Sequence, residues 1–145
     1  YTNDDGWYVN VRYDKSFEAK LIQGDEKLKN YYSELKNELL SYKKVTARKS
    51  WQHEAFRRGR TTVAKLVIRG KTLRLYLALE PMLYEESKYL VEDASEHAKF
   101  AKTPLLYRIK NDRRCRYAKD LIAAAMASAE ALRGDDQNED YASVP

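Results

Sequence analysis

Apolar and polar residues alternate through residues 72–79: Leu73, Leu75, Leu77 and Leu79 fall on one side, and Arg74, Tyr76 and Ala78 on the other. That is the period of a strand with one buried face. Residues 61–69 repeat the pattern, with Ala64, Leu66 and Ile68 opposing Val63, Lys65, Val67 and Arg69. Gly70 and Lys71 lie between the two runs, and glycine tolerates the positive φ of a tight hairpin turn, so the pair reads as a β-hairpin. Upstream, alternation predicts strands over 45–51 and 54–58, with Gly59 in a turn, and a first strand over 7–13 built on Trp7, Val9, Val11 and Tyr13.

Between the first strand and this meander the period lengthens. Leu28, Tyr31, Tyr32, Leu35, Leu39 and Leu40 recur at three and four residues, which predicts a helix over 26–42 with one face toward a core. On this reading the tyrosines pack and do not form a binding box. Ser16 caps a short helical turn bearing Phe17 and Leu21, and Gly24 followed by Asp25 marks a break and a new N-cap. After Pro81 the pattern is irregular and acidic, with a short strand at 88–91 and a helical turn at 96–101. Pro104 introduces a strand over 105–110 with Leu105, Tyr107 and Ile109 inward, and Asn111 or Asp112 caps a last helix over 113–133, closed by Gly134. Its stripe of Tyr117, Leu121, Ile122, Ala125, Ala129 and Leu132 lies against the sheet. The whole is an α+β fold: an antiparallel β-meander packed against an N-terminal helix and a long C-terminal helix. One domain over 7–133 is expected, flanked by a loose segment at 1–6 and an acidic tail at 134–145.

Length and composition agree with this. A chain of 145 residues buries one core without disulfides or metals, and 43% hydrophobic content is too high for a disordered chain. Cys115 is the lone cysteine, which excludes an internal disulfide and a thiolate zinc site and points to a reducing, cytoplasmic compartment. No apolar run approaches the roughly 20 residues that span a bilayer, so this segment is not expected to insert in a membrane or to carry a signal peptide. The start at Tyr1 and the acidic end read as a fragment of something longer.

Charge changes the picture more. The net charge of +5 conceals segregation. Residues 43–74 hold eleven Lys or Arg against one acid, Glu54; residues 75–100 are net −4; residues 101–119 are net +6; the end from Gly134 is net −4. Within the basic middle, Arg48, Lys49, Trp51, His53, Phe56, Arg57, Arg58 and Arg60 interleave aromatics with cations, a composition suited to phosphate contacts and base stacking. If Lys65, Arg69, Arg74 and Tyr76 share an exposed sheet face with Arg108 and Lys110, the surface is a positive platform for nucleic acid or another polyanion. The same alternation is also what any half-solvated sheet requires, and Trp51 and Phe56 also suit a core. A second candidate is the start of the last helix, where Arg113, Arg114 and Arg116 oppose the helix dipole and a bound anion would offset them; pairing with the acidic segment or simple solvation does so equally.

Enzyme signatures are missing: His53 and His97 lie in no metal-binding spacing, and there is no phosphate loop or nucleophile elbow. No cofactor is expected. Cys115 sits among arginines one turn into a helix, a place for a reactive thiol or, more commonly, an inert buried one, and a small-ligand site near Trp51, His53 and Cys115 is the remaining enzyme-like arrangement.

Several local stretches occur together: Lys15-Ser16-Phe17 with Ala19-Lys20-Leu21, Leu39-Leu40-Ser41-Tyr42-Lys43-Lys44-Val45, Ser50-Trp51, Gly59-Arg60, Ala64-Lys65-Leu66, Ile68-Arg69-Gly70-Lys71-Thr72-Leu73, Leu75-Tyr76-Leu77-Ala78-Leu79 and Arg108-Ile109-Lys110-Asn111-Asp112-Arg113. Over residues 11–123 the combination resembles a bacterial α+β domain of unassigned function that occurs in tandem copies within larger proteins of Gram-positive anaerobes. The order of elements is also distantly similar to small double-wing domains predicted to bind DNA. The resemblance implies a helix on a curved antiparallel sheet and brings no activity, cofactor or site residue. Two functions follow as expectations: a non-enzymatic module binding nucleic acid or another polyanion, or an interaction module whose basic and acidic patches complement a protein partner or neighbouring copies.

Overall fold

A computed structural model describes residues 16–141, with side chains through residue 129. The first strand expected over 7–13 and the loose segment at 1–6 lie outside those residues. Two N-caps set the helical start. Ser16 Oγ accepts from the Ala19 amide at 3.0 Å to begin α1 (Phe17–Gln23), and Asp25 Oδ1 accepts from the Leu28 amide at 2.9 Å to begin α2 (Glu26–Leu40). Each satisfies an amide that the helix leaves without an internal partner.

The chain then enters an antiparallel meander, β1 (Val45–Lys49), β2 (Glu54–Arg58), β3 (Thr61–Arg69) and β4 (Thr72–Leu77). Gly59 (φ 65°) and Gly70 (φ 61°) supply the left-handed turns that join β2 to β3 and β3 to β4. After β4 come a short β5 (Glu92–Asp93), then β6 (Leu105–Ile109) and the long α3 (Asp112–Tyr141). The six strands lie in the order β1-β2-β3-β4-β6-β5, every pair antiparallel.

The helices cover one face of this sheet. Leu35 and Leu39 of α2, Leu121 and Ile122 of α3, and Phe56, Leu66, Leu75 and Tyr107 of the strands form one buried cluster. Each aliphatic side chain buried there stabilises the fold by about 1.5–3 kcal/mol relative to exposure. Between β2 and β3 the register shifts after Phe56, which pairs with Ala64 while Arg57 pairs with Thr62. Val63 is therefore an extra residue on β3, and both it and Ala64 are buried, where strict alternation predicts Val63 on the opposite side.

Four local expectations are corrected. The strand expected to reach Leu79 stops at Leu77, because the Leu79 amide bonds the Leu77 carbonyl at 2.8 Å and turns the chain toward Pro81. No strand forms at 88–91: Leu90 adopts φ 58°, which interrupts an extended chain, and pairing starts instead at Glu92. The helical turn expected over 96–101 is a single 3₁₀ turn, Ala98–Phe100. The last helix continues past Gly134 to Tyr141, since a glycine costs only about 1 kcal/mol inside a helix and ends one only where it adopts the left-handed conformation. Its cap is Asn111, whose Oδ1 accepts from the Arg114 amide at 2.9 Å, while the neighbouring Asp112 carboxylate accepts the Tyr31 hydroxyl at 2.8 Å.

Candidate polyanion-binding face

Strand register decides which basic residues share a surface. Arg48 stands opposite Ala55, Ala55 opposite Lys65, Lys65 opposite Tyr76, and Tyr76 opposite Leu106. One step along, Arg74 lies between Val67 and Arg108, and Arg69 pairs with Thr72. These rows point away from the helices, because the alternate residues Phe56, Leu66, Leu75 and Tyr107 are the ones in the helix-covered core. Arg57 follows Ala55 onto the same open face. Six expected cations, Arg48, Arg57, Lys65, Arg69, Arg74 and Arg108, thus share one side of the sheet.

The other expected residues go elsewhere. Lys49 belongs to the helix-side row and pairs with Glu18 at 2.7 Å. Arg58, opposite Val45, shares that row. Arg60 is exposed in the turn after Gly59, and Lys110 and Arg113 are exposed where β6 passes into α3. Arg114 lies 5.0 Å from the centre of the Tyr107 ring and donates to the Arg108 carbonyl at 3.2 Å, which draws its guanidinium over the helix-side core. Arg114 is therefore not part of the sheet-face row. Trp51 is 57% exposed just beyond β1 and is not core, while Phe56 is fully buried.

Tyr76 does not offer an open ring. The segment between β5 and β6 crosses the face, and Phe100 stacks on Tyr76 with centroids 3.7 Å apart and planes at 5°. Tyr76, Ala94 and Leu106 form a second, small buried cluster there. Lys65 secures the crossing segment: its Nζ donates to the Lys99 carbonyl at 2.8 Å and lies 5.6 Å from the Phe100 ring centre. The exposed aromatic available for stacking is therefore Trp51, not Tyr76.

Among the described residues the field on this face is positive and little offset. Burial lowers the Lys65 ammonium below its ordinary range, and the charges of Lys99, Lys102 and Arg57 lower it further. His53 is lowered by burial and then by Lys65 and Lys99, so the neutral imidazole is favoured. Arg108 has its counter-ion, Glu92, at 2.8 Å.

Where the crossing segment leaves the sheet, a cavity of about 550 Å³ opens. Lys20, His53, Arg69, Arg74, His97 and Lys99 contribute to its wall, and no carboxylate among the described residues lines it. Arg74 Nε and His53 Nδ1 are buried without hydrogen-bond partners, a condition that costs about 1–3 kcal/mol per group. Lys20, His97 and Lys99 could not be assigned here from the sequence, since an irregular loop and a helix have no shared period with the strands. Lys20 arrives on α1, held at the Ile68 carbonyl, and His97 and Lys99 arrive on the crossing segment that Phe100 holds against Tyr76.

The enzyme-like arrangement of Trp51, His53 and Cys115 is not assembled. His53 lines the open-face cavity, whereas Cys115 is 2% exposed in the helix-side core, and burial, followed by the Glu34 charge, pushes its thiol up to about 11. That is an inert thiol. Among the described residues no cluster of three His, Cys, Asp or Glu could hold a metal, and no helix is long and apolar enough to cross a membrane. Glu54, the one acid of the basic middle, is 2% exposed beneath α2, where it accepts the Tyr32 hydroxyl at 2.6 Å and pairs with Lys36 at 2.9 Å. Its isolation among cations was the signal in the sequence.

No family model, curated protein or solved structure matches the chain.

Proposed function

We propose that this chain is a non-enzymatic binding module that holds a polyanion, nucleic acid foremost, against the open face of its sheet. The observation that carries the reading is the row of Arg48, Arg57, Lys65, Arg69 and Arg74 on the side the helices leave uncovered; Trp51 is exposed just beyond β1. Cations spaced along paired strands can follow a phosphate backbone, and an exposed indole gives a stacking surface for a base. Tyr76, closed under Phe100, serves to anchor the crossing segment. Lys49, Arg58 and Arg114, turned to the helix side, are outside the binding row.

Titration with single-stranded DNA, duplex DNA and RNA at two salt concentrations tests this. Binding that weakens as salt rises is expected, with a slope of log K on log salt of about −2 to −3.5 for single strands if three to five phosphates are neutralised. No binding at low salt to any of the three rejects the reading.

A second reading is favoured by a specific observation. Met82, Leu83 and Leu90 are 69%, 80% and 66% exposed along one loop, more apolar surface than a solvated connection needs. An interaction module for a partner or for neighbouring copies in a larger cytoplasmic protein would cover it. Light scattering on single and tandem copies at low and high salt distinguishes this: a monomer with no contact between copies at either salt excludes self-association.

A further inference from the structure

Arg74 is held in an unusual position for a strand arginine. Its Nη1 reaches the Tyr76 hydroxyl only at 3.4 Å, its Nε has no partner, and the cavity beside it is lined by Lys20, Arg69 and Lys99 with both histidines of the chain. Two of the surrounding cations have partners in the protein. Lys20 Nζ donates to the Ile68 carbonyl at 3.3 Å, and Lys99 Nζ donates to the Gln52 side chain. Four segments meet here: α1, the loop before β2, the adjoining ends of β3 and β4, and the Ala98–Phe100 turn.

We propose that this cavity takes a phosphate monoester, the terminal phosphate of a strand or of a free mononucleotide. Arg74 supplies the planar fork, Lys20, Arg69 and Lys99 surround it, and His53 lies at the wall. Charge selects the monoester over the internal diester. A diester carries one negative charge, whereas a monoester carries about 1.5 to 2 at neutral pH and three acceptor oxygens, and four cations converge here with no described carboxylate among them. Shape points the same way: walls from four segments suit a group inserted end-on better than a backbone passing through. The inference deepens the polyanion reading, since Arg69 and Arg74 belong to both, and it rests on that reading for the strand that bears the phosphate.

The test compares short labelled oligonucleotides bearing a 5′-phosphate, a 3′-phosphate or hydroxyls at both ends, together with inorganic phosphate and adenosine monophosphate as competitors. The expected result is ~10-fold tighter binding of a terminally phosphorylated strand than of its hydroxyl counterpart, the worth of about one charge-assisted contact. Arg74→Gln should abolish that difference and, because Arg74 also belongs to the sheet-face row, weaken binding of the hydroxyl strand as well, whereas Lys99→Gln, outside that row, should leave the hydroxyl strand within about twofold. Lys99 is exposed, so Lys99→Gln leaves the fold intact and should narrow the difference even if Arg74→Gln destabilises the sheet.

Equal affinity for phosphorylated and hydroxyl strands, unchanged in Lys99→Gln, overturns the cavity assignment and leaves the polyanion reading standing. Binding of adenosine monophosphate or phosphate, lost in Lys99→Gln, with no oligonucleotide binding at all, supports the cavity and overturns the polyanion reading. Binding of none of the probes overturns both.

Discussion

Glu54 and His53 are neighbours in sequence and opposites in environment. Glu54 points under α2, where Tyr32 and Lys36 satisfy it; His53 precedes β2 and turns to the open face among Lys65 and Lys99. Removing the Glu54 carboxylate strands the Tyr32 hydroxyl and a partly exposed ammonium in the core. Glu54→Ala is expected to lower stability by about 2–4 kcal/mol, and Glu54→Gln by less, since the amide oxygen still accepts the Tyr32 hydroxyl. A denaturant midpoint unchanged in Glu54→Ala would show that the buried pair adds nothing. For His53 the folded state disfavours the imidazolium, so as pH falls the unfolded chain takes up the proton first. The contribution is fully present above the ordinary imidazole value of about 6.5 and is lost as pH falls below it toward the lowered folded value. Urea unfolding at successive pH values between neutral and mildly acidic should show this loss, and His53→Gln should flatten the slope.

At the scale of elements, the segment between β5 and β6 determines what the open face can do. Its main hold is the Phe100 ring on Tyr76, supported by Lys65 at the Lys99 carbonyl. Phe100→Ala removes a half-buried ring and is expected to cost about 2 kcal/mol, with amide exchange accelerating in residues 94–103 and little changed in β3 and β4. Equal acceleration throughout would mean that the crossing segment and the sheet unfold as one unit. The elements themselves were largely legible. Both N-caps, the α2 stripe and the β3–β4 hairpin follow from local spacing, because capping, helical period and a positive-φ turn each act within a few residues. Boundaries failed where a distant partner decided them, at the end of β4, at Leu90 and in the Ala98–Phe100 turn.

For the whole molecule, the decisive feature is the division of charge by the sheet. Acids meet bases mainly on the helix side, as Glu18 with Lys49, Glu34 with Lys119 and Glu54 with Lys36, while on the open face Glu92 pairs with Arg108. The other cations of that open face, Arg48, Arg57, Lys65, Arg69 and Arg74, have no acid partner among the described residues, and their field is what the salt titration reads. The sequence by itself determined the α+β class, the meander, the two described N-terminal caps and the alternation that sends Lys65, Arg69 and Arg74 to one side, since all of these are properties of period and neighbouring residues. Tertiary structure alone decided that Tyr76 closes under Phe100, that Arg114 folds over Tyr107 on the other side, and that Lys20, His97 and Lys99 join Arg74 around one cavity. The contacts around Tyr76 and Arg74 join residues 23 to 54 positions apart, and that of Arg114 with Tyr107, seven positions away, depends on how α3 leaves β6; no local pattern encodes such a meeting, and only the strand order and the path of the chain bring it about.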